Sequence, residues 1–161
     1  MSKTIFEEKQ RFDSPLAYVA LGLAFVVITY TTFFSGGDKT IESQLLSYLP
    51  FLLVLAFFFT IKLKTRIDEN GIHVSFFPFI IKEKIFSWSD IYSAEAEKYS
   101  PISEYGGWGY RIKFSKKAKA FTTRGNKGIK VVLKDGKIRM IGTQKMEDAN
   151  LCINQYLEKK A

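Results

Sequence analysis

Pro15 to Phe34 reads PLAYVALGLAFVVITYTTFF, 20 positions without a charged side chain. At 1.5 Å of rise per residue such a helix is about 30 Å long, the thickness of a bilayer's hydrocarbon core. Within lipid, a helix satisfies all its backbone hydrogen bonds internally. The stretch is therefore expected to span a membrane. The competing reading is a cleaved signal peptide. The long, mixed-charge flank KTIFEEKQRFDS, the length of the apolar run and the missing small-x-small cleavage site argue against it.

A second apolar stretch, LLSYLPFLLVLAFFFTI from Leu45 to Ile61, has 17 uncharged positions, the short end of the spanning range. Pro50 stands near its start, where a proline kinks a helix or sits in its first turns. The bland alternative is a buried or re-entrant helix. The connector SGGDKTIESQ is 10 residues long, which makes the two helices antiparallel neighbours. Gly36 and Gly37 suit the end of the first helix.

Lysine and arginine near the membrane ends set the orientation. Lys3, Lys9 and Arg11 precede the first helix, Lys39 alone lies in the connector, and Lys62, Lys64 and Arg66 follow the second. Both termini are therefore expected in the cytoplasm. Residues 1–14 read as a cytosolic flank, 15–61 as the transmembrane hairpin and 62–161 as one cytosolic domain.

The chain carries a formal net charge of +8. From Lys62 onward, 20 basic against 11 acidic residues give 20 − 11 = +9. Such an excess suits an acidic partner or a solvated surface. Beside a membrane anchor, the expected partners are the bilayer, its anionic lipids or a protein, and not nucleic acid. Cys152 is the single cysteine, so no intrachain disulfide can form, and His73 is the single histidine. Neither a Cys-His nucleophile nor a His/Cys metal site is suggested by their spacing, and no cofactor is expected.

Beyond Leu63 the pattern becomes short alternating runs separated by turns. Thr65–Asp68 and Ile72–Phe77 flank Asn70-Gly71, a strong hairpin signal, and Pro78 breaks the second run. Phe79–Phe86, Tyr92–Tyr99, Tyr110–Phe114, Ala120–Thr123, Ile129–Leu133 and Lys137–Ile141 read as further strands, the last two forming a hairpin at Asp135-Gly136. Ser100–Gly109 reads as a long connection. In the strand after Ile91, Tyr92, Ala94, Ala96 and Lys98 alternate with Ser93, Glu95 and Glu97, a wet acidic face. Met146, Ala149, Cys152, Ile153, Tyr156 and Leu157 recur at helical spacing and form one apolar stripe. Glu147 and Asp148 suit its positive end, and Lys159 and Lys160 its negative end. The expected domain has seven or eight antiparallel strands and one amphipathic helix. Closure into a barrel, with the helix capping one end, would hide the sheet edges.

The hairpin, SWSDI (Ser87–Ile91), EYGGWGYR (Glu104–Arg111), GNKGI (Gly125–Ile129), MIGTQK (Met140–Lys145) and the terminal helix together resemble bacterial pleckstrin-homology-like membrane proteins. The resemblance covers nearly the whole chain. It implies a seven-stranded antiparallel barrel with a C-terminal helix in a bacterial inner membrane. It does not imply phosphoinositide binding, and the quoted motifs diagnose no activity.

Tyr105-Gly106-Gly107-Trp108-Gly109 offers two readings. It is either a loop presenting Tyr105 and Trp108 to a partner or the lipid interface, or a barrel bend with Trp108 filling the core. Glu104, Tyr105, Trp108 and Arg111 are the candidate binding residues. Gly125-Asn126-Lys127-Gly128 reads as a hairpin turn, since no helix follows to complete a phosphate cradle. Glu95 and Glu97 read as solvated carboxylates. Lys62, Lys64 and Arg66, with Lys116, Lys117, Lys119, Arg124, Lys127 and Lys130, are candidate contacts for an anionic leaflet, each worth about 1 kcal/mol at the surface. The expected function is a non-enzymatic, membrane-tethered interaction module. The alternatives are a membrane enzyme with its site at the bilayer face, and a structural subunit using Gly22, Ser47 or Tyr48 in helix contacts.

Overall fold

A computed structural model describes residues 6–34, 40–113 and 117–158. The chain divides into two compact units, a helical one spanning Asp13–Thr60 and a β-rich one built from the residues before and after it.

The helical unit holds α1 (Pro15–Phe34) and α2 (Ile41–Thr60), each of 20 residues and each long and apolar enough to cross a membrane. The first matches the sequence reading. The second begins four residues earlier than expected, so Pro50 falls in its interior and not near its start. The helix starts at Ile41 because Thr40 caps it: Ser43 N–H donates to Thr40 Oγ1 at 3.3 Å. The helices touch through Phe25 against Tyr48 and Phe51, and Tyr48 donates a hydrogen bond to Thr29. Of α1 only Thr32 is buried, and of α2 nothing is.

Among the described residues the β-rich unit has nine strands. They are β1 (Phe6–Arg11), β2 (Lys62–Asp68), β3 (Gly71–Phe77), β4 (Ile80–Ser87), β5 (Ile91–Lys98), β6 (Gly109–Lys113), β7 (Ala118–Thr122), β8 (Lys127–Leu133) and β9 (Ile138–Gly142). A short helix α3 (Pro101–Tyr105) lies within the connection expected between β5 and β6, and α4 (Met146–Glu158) ends the unit.

The strands are not closed into one barrel. Sheet A has the order β1-β2-β3-β4, and sheet B the order β5-β8-β9-β7-β6. The all-antiparallel expectation also fails at one pair. β9 inserts between β8 and β7, is antiparallel to the first and therefore runs parallel to the second.

The larger correction is β1. The supposed N-terminal flank is an edge strand of sheet A, pairing Arg11 with Lys62 and Phe6 with Ile67. Its FEEKQR alternates buried and exposed, and Phe6, Glu8 and Gln10 point inward. Glu8 accepts from Thr143 Oγ1 at 2.6 Å and from Gln144 N–H at 2.9 Å. Gln10 donates to Gly142 O and accepts from Thr123 Oγ1, both at 2.8 Å. These buried polar groups tie sheet A to sheet B, and pairing offsets the desolvation they would otherwise suffer.

The β2–β3 turn needs its glycine. Gly71 has φ +148°, and a Cβ there would lie 2.1 Å from the carbonyl oxygen of Phe86. Ile67, Ile72, Val74 and Phe76 of sheet A and Phe121, Ile129, Val131 and Ile141 of sheet B form the core. A ring stack of Phe76, Phe79, Tyr110 and Phe121, with centroids 5.5–5.7 Å apart, joins the two sheets. Helix α4 buries Ala149, Cys152 and Ile153, and Tyr156 stacks on Trp88. Asn150 also covers the free edge of β5, exchanging hydrogen bonds with both Ala96 N–H and Ala96 O.

Alternation in β5 breaks once. The register shifts between Ile91 and Ser93, leaving Tyr92 76% exposed while Ile91, Ala94 and Ala96 are buried. Tyr92 therefore does not share the face of Ala94 and Ala96 that simple alternation assigns it.

Candidate functional site

The glycine-aromatic loop is built largely into the structure. Ser100 precedes α3, and Glu104 Oε1 accepts from Ser100 N–H at 2.7 Å, a reciprocal contact across the first turn. Gly106 adopts the left-handed conformation that ends α3. Tyr105 packs on the buried cluster of Tyr99, Ala120 and Met140, edge to face with Tyr99. Burial, and then the negative charges of Glu104 and Glu97, hold its phenol above the ordinary tyrosine range. Trp108 is half-buried, and its indole N–H donates to Gly125 O at 2.7 Å, clasping the β7–β8 turn. Arg111 is exposed, and its Nε donates to Trp108 O at 3.2 Å.

These four residues do not converge. Glu104 and Tyr105 share a small cavity of about 130 Å³ with Lys113, Ala118, Lys130 and Ile138, which Trp108 and Arg111 do not line.

The basic residues fall into three places. On the outer face of β2, Lys62 and Lys64 lie opposite Arg11 and Lys9, at the end of sheet A where the chain leaves for the helices. Arg66, further along, turns to carboxylates, with Asp68 at 3.5 Å and Glu83 at 3.2 Å. Lys117 and Lys119 stand at the start of β7. Arg124 and Lys127 lie beyond its other end, about 15 Å away at the usual rise of a strand. Lys130 pairs with Glu97 at 3.1 Å. Lys116 lies outside the described residues, as do Phe114, Gly36, Gly37, Lys39, Lys159 and Lys160. Of the six cations expected as one cluster around two turns, Lys117 and Lys119 thus stand at one end of β7, Arg124 and Lys127 beyond the other, and Lys130 in the middle of β8.

The structure regroups Lys117 and Lys119 with residues not singled out from the sequence. A cavity of about 440 Å³ is lined by Ile112, Lys113, Lys117, Ala118, Lys119, Lys137 and Arg139. Arg139 is buried and donates from Nη1 to the carbonyls of Lys117 at 3.2 Å and Ile138 at 2.8 Å. Nothing in the local pattern IRMIG marks that arginine as special. The sheet register, which lays Arg139 beside Lys119, does so.

His73 sits elsewhere, buried on β3. Its ring nitrogens lie 2.9 Å from Asp68 Oδ1 and 3.3 Å from Glu83 Oε2. Burial raises the Asp68 carboxyl, but the Asn70 N–H, His73 and Arg66 outweigh it and hold the group below the ordinary aspartate value. The Cys152 thiol is buried on α4 and pushed up by that burial. Among the described residues no group of three His, Cys, Asp or Glu side chains is placed to hold a metal ion.

No protein-family model matches the chain, and no curated protein matches it.

Proposed function

We propose that the chain is a membrane-tethered, non-enzymatic interaction module whose β-rich unit lies at the cytoplasmic face of a bacterial cell membrane. One observation carries this reading. The helical unit is inserted between two hydrogen-bonded antiparallel neighbours, β1 and β2. Arg11 pairs with Lys62, and Phe12 N–H donates to Ile61 O at 3.2 Å. Both ends of the hairpin therefore leave from one end of one sheet, which supports β1 and the rest of the β-rich unit lying on one side of the membrane.

Charge supports the cytoplasmic assignment. Lys9, Arg11, Lys62 and Lys64 surround that exit, the pattern of a cytoplasmic flank. The same end of sheet A carries Phe77 opposite Lys62, and Phe77 and Phe79 are about half exposed, apolar tips suited to a headgroup boundary. Binding, in place of catalysis, is supported by the larger cavity, whose polar lining is amines and a guanidinium. The pleckstrin-homology-like reading of the β-rich unit rests on its two sheets and on the C-terminal helix against β5 and β2.

Topology is tested by single cysteines in a Cys152→Ala background. In intact bacterial cells, Thr40→Cys should react with a membrane-impermeant maleimide. Glu158→Cys should react only after permeabilisation. Labelling of Glu158→Cys from outside overturns the orientation.

A further inference from the structure

The two sheets face each other through apolar rows that turn cationic at one end. The Phe76–Phe79–Tyr110–Phe121 stack identifies the facing sides. On sheet A the next inward row is Thr65, Val74 and Lys84, and the first two are fully buried. On sheet B the corresponding row is Ala94, Val131, Arg139, Lys119 and Ile112. Strand alternation thus points Lys84, Lys119 and Arg139 toward the space between the sheets, where Lys119 and Arg139 line the 440 Å³ cavity and Lys84, on the exposed edge strand, lies near enough for their charges to act on it.

A core does not require this. Arg139 is 5% exposed and its Nε has no hydrogen-bond partner. Among the described residues, no carboxylate stands within ion-pair distance of Arg139, Lys84 or Lys119. Asp135, which does lend Arg139 some stabilisation, is paired with Lys137. Burying a guanidinium without a counter-ion is costly. Burial, then the charges of Arg139, Lys119 and Lys137, also depresses the Lys84 ammonium below the ordinary lysine range. Among the described residues every charged side chain lining the cavity is cationic.

We propose that this cavity binds a small, multiply charged, phosphate-bearing anion between Arg139 and Lys119, with Lys84, Lys117 and Lys137 around it. A phosphomonoester brings about −1.5 to −2 charges and three acceptor oxygens, where a single carboxylate would leave most of these cations uncompensated. The volume falls within the range of roughly 300–1,000 Å³ typical of small-ligand sites. Ile112 and Ala118 give it an apolar wall for the rest of the ligand. The anion is either a soluble phosphate compound or the phosphomonoester headgroup of a lipid. This inference rests on the reading of the β-rich unit as a binding module, but not on its orientation in the membrane.

The test uses the full-length chain in neutral phosphatidylcholine nanodiscs, titrated with inorganic pyrophosphate against chloride of equal ionic strength. Saturable pyrophosphate binding is expected. Lys84→Gln and Lys119→Gln should each weaken it about tenfold, whereas Lys98→Gln on β5 should leave it unchanged. Both lysines are solvent-reached, so these variants avoid the folding risk of replacing Arg139. Competition by phosphatidic acid placed in the disc, but not by phosphatidylserine, would identify a headgroup. No competition, with pyrophosphate still bound, would identify a soluble ligand. Absence of saturable binding to both phosphate probes, equal binding by all variants, or binding of poly-glutamate alone would overturn the proposal. The maleimide labelling pattern would be unaffected by such a failure, so the two readings fall separately.

Discussion

Leu23 on α1 and Ile153 on α4 are both large aliphatic residues in the middle of a helix, yet Leu23 is 64% exposed and Ile153 fully buried. Around Leu23 the apolar surface continues on every side: Leu16, Val19, Val26, Val27 and Tyr30 are all exposed. Around Ile153 only Ala149 and Cys152 are buried with it, and the exposed side carries Glu147, Asp148, Leu151, Asn154 and Glu158. A helix apolar all round needs an apolar solvent, whereas one with a single stripe needs one apolar neighbour. The contrast separates two sources of order in one chain. The helical unit has two helices long and apolar enough to cross a membrane, and mutual burial accounts for the β-rich one.

The sharpest way to test that separation is to remove the helical unit. Residues 1–12 joined to 61–161 through a short glycine-containing turn should fold in water, because Arg11 already pairs with Lys62. Residues 61–161 alone should aggregate or melt without cooperativity. They lose the β1 ladder, Phe6, and the buried contacts of Glu8 and Gln10 to Thr143, Gln144, Gly142 and Thr123. The expected loss is on the order of a small domain's whole stability, about 5–15 kcal/mol. Equal melting of the two chains by circular dichroism would show β1 to be dispensable.

Ile153→Asp in the joined chain should cost about 3–5 kcal/mol, since it buries a carboxylate with no partner. Leu23→Asp in the full-length chain should instead impair membrane insertion, by about 3 kcal/mol at a helix centre. It should leave the melting of the β-rich unit alone. Urea titrations and membrane fractionation read the two effects. A similar response to both changes would erase the distinction between the helices.

A smaller effect sharpens the core side of the comparison. Burial pushes the Tyr99 phenol up to about 12, from an ordinary value near 10. The folded value lies above the unfolded one, so this contribution is complete below pH 10 and is lost as pH rises through about 12. The loss amounts to at most about 3 kcal/mol. Tyr99→Phe should remove that part of the alkaline destabilisation, seen as a smaller drop in urea midpoint between pH 9 and 11. An unchanged drop would place Tyr99 in a wetter site than the core beside Ala120 and Met140.

Much of the fold was legible in local pattern. The span of α1, eight strand positions and the buried stripe of α4 follow from periodicity, because each element must turn its own apolar residues one way. β1 was hidden because FEEKQR carries one large apolar residue. Its other inward positions, Glu8 and Gln10, are polar and tolerable there only through partners more than 100 residues distant. The same limit applies to function. Tyr105 and Trp108 stood out as aromatic residues among glycines, and both proved to be tied into the structure. Lys119 stood out only as one of several cations expected at an anionic leaflet, and Lys84 and Arg139 looked like ordinary cations on two other strands. The sequence alone determined α1, α4 and eight of the strands. Which residues meet between the sheets depended on register and on the insertion of β9 between β7 and β8. Those are set by long-range pairing, of which a local window carries no trace.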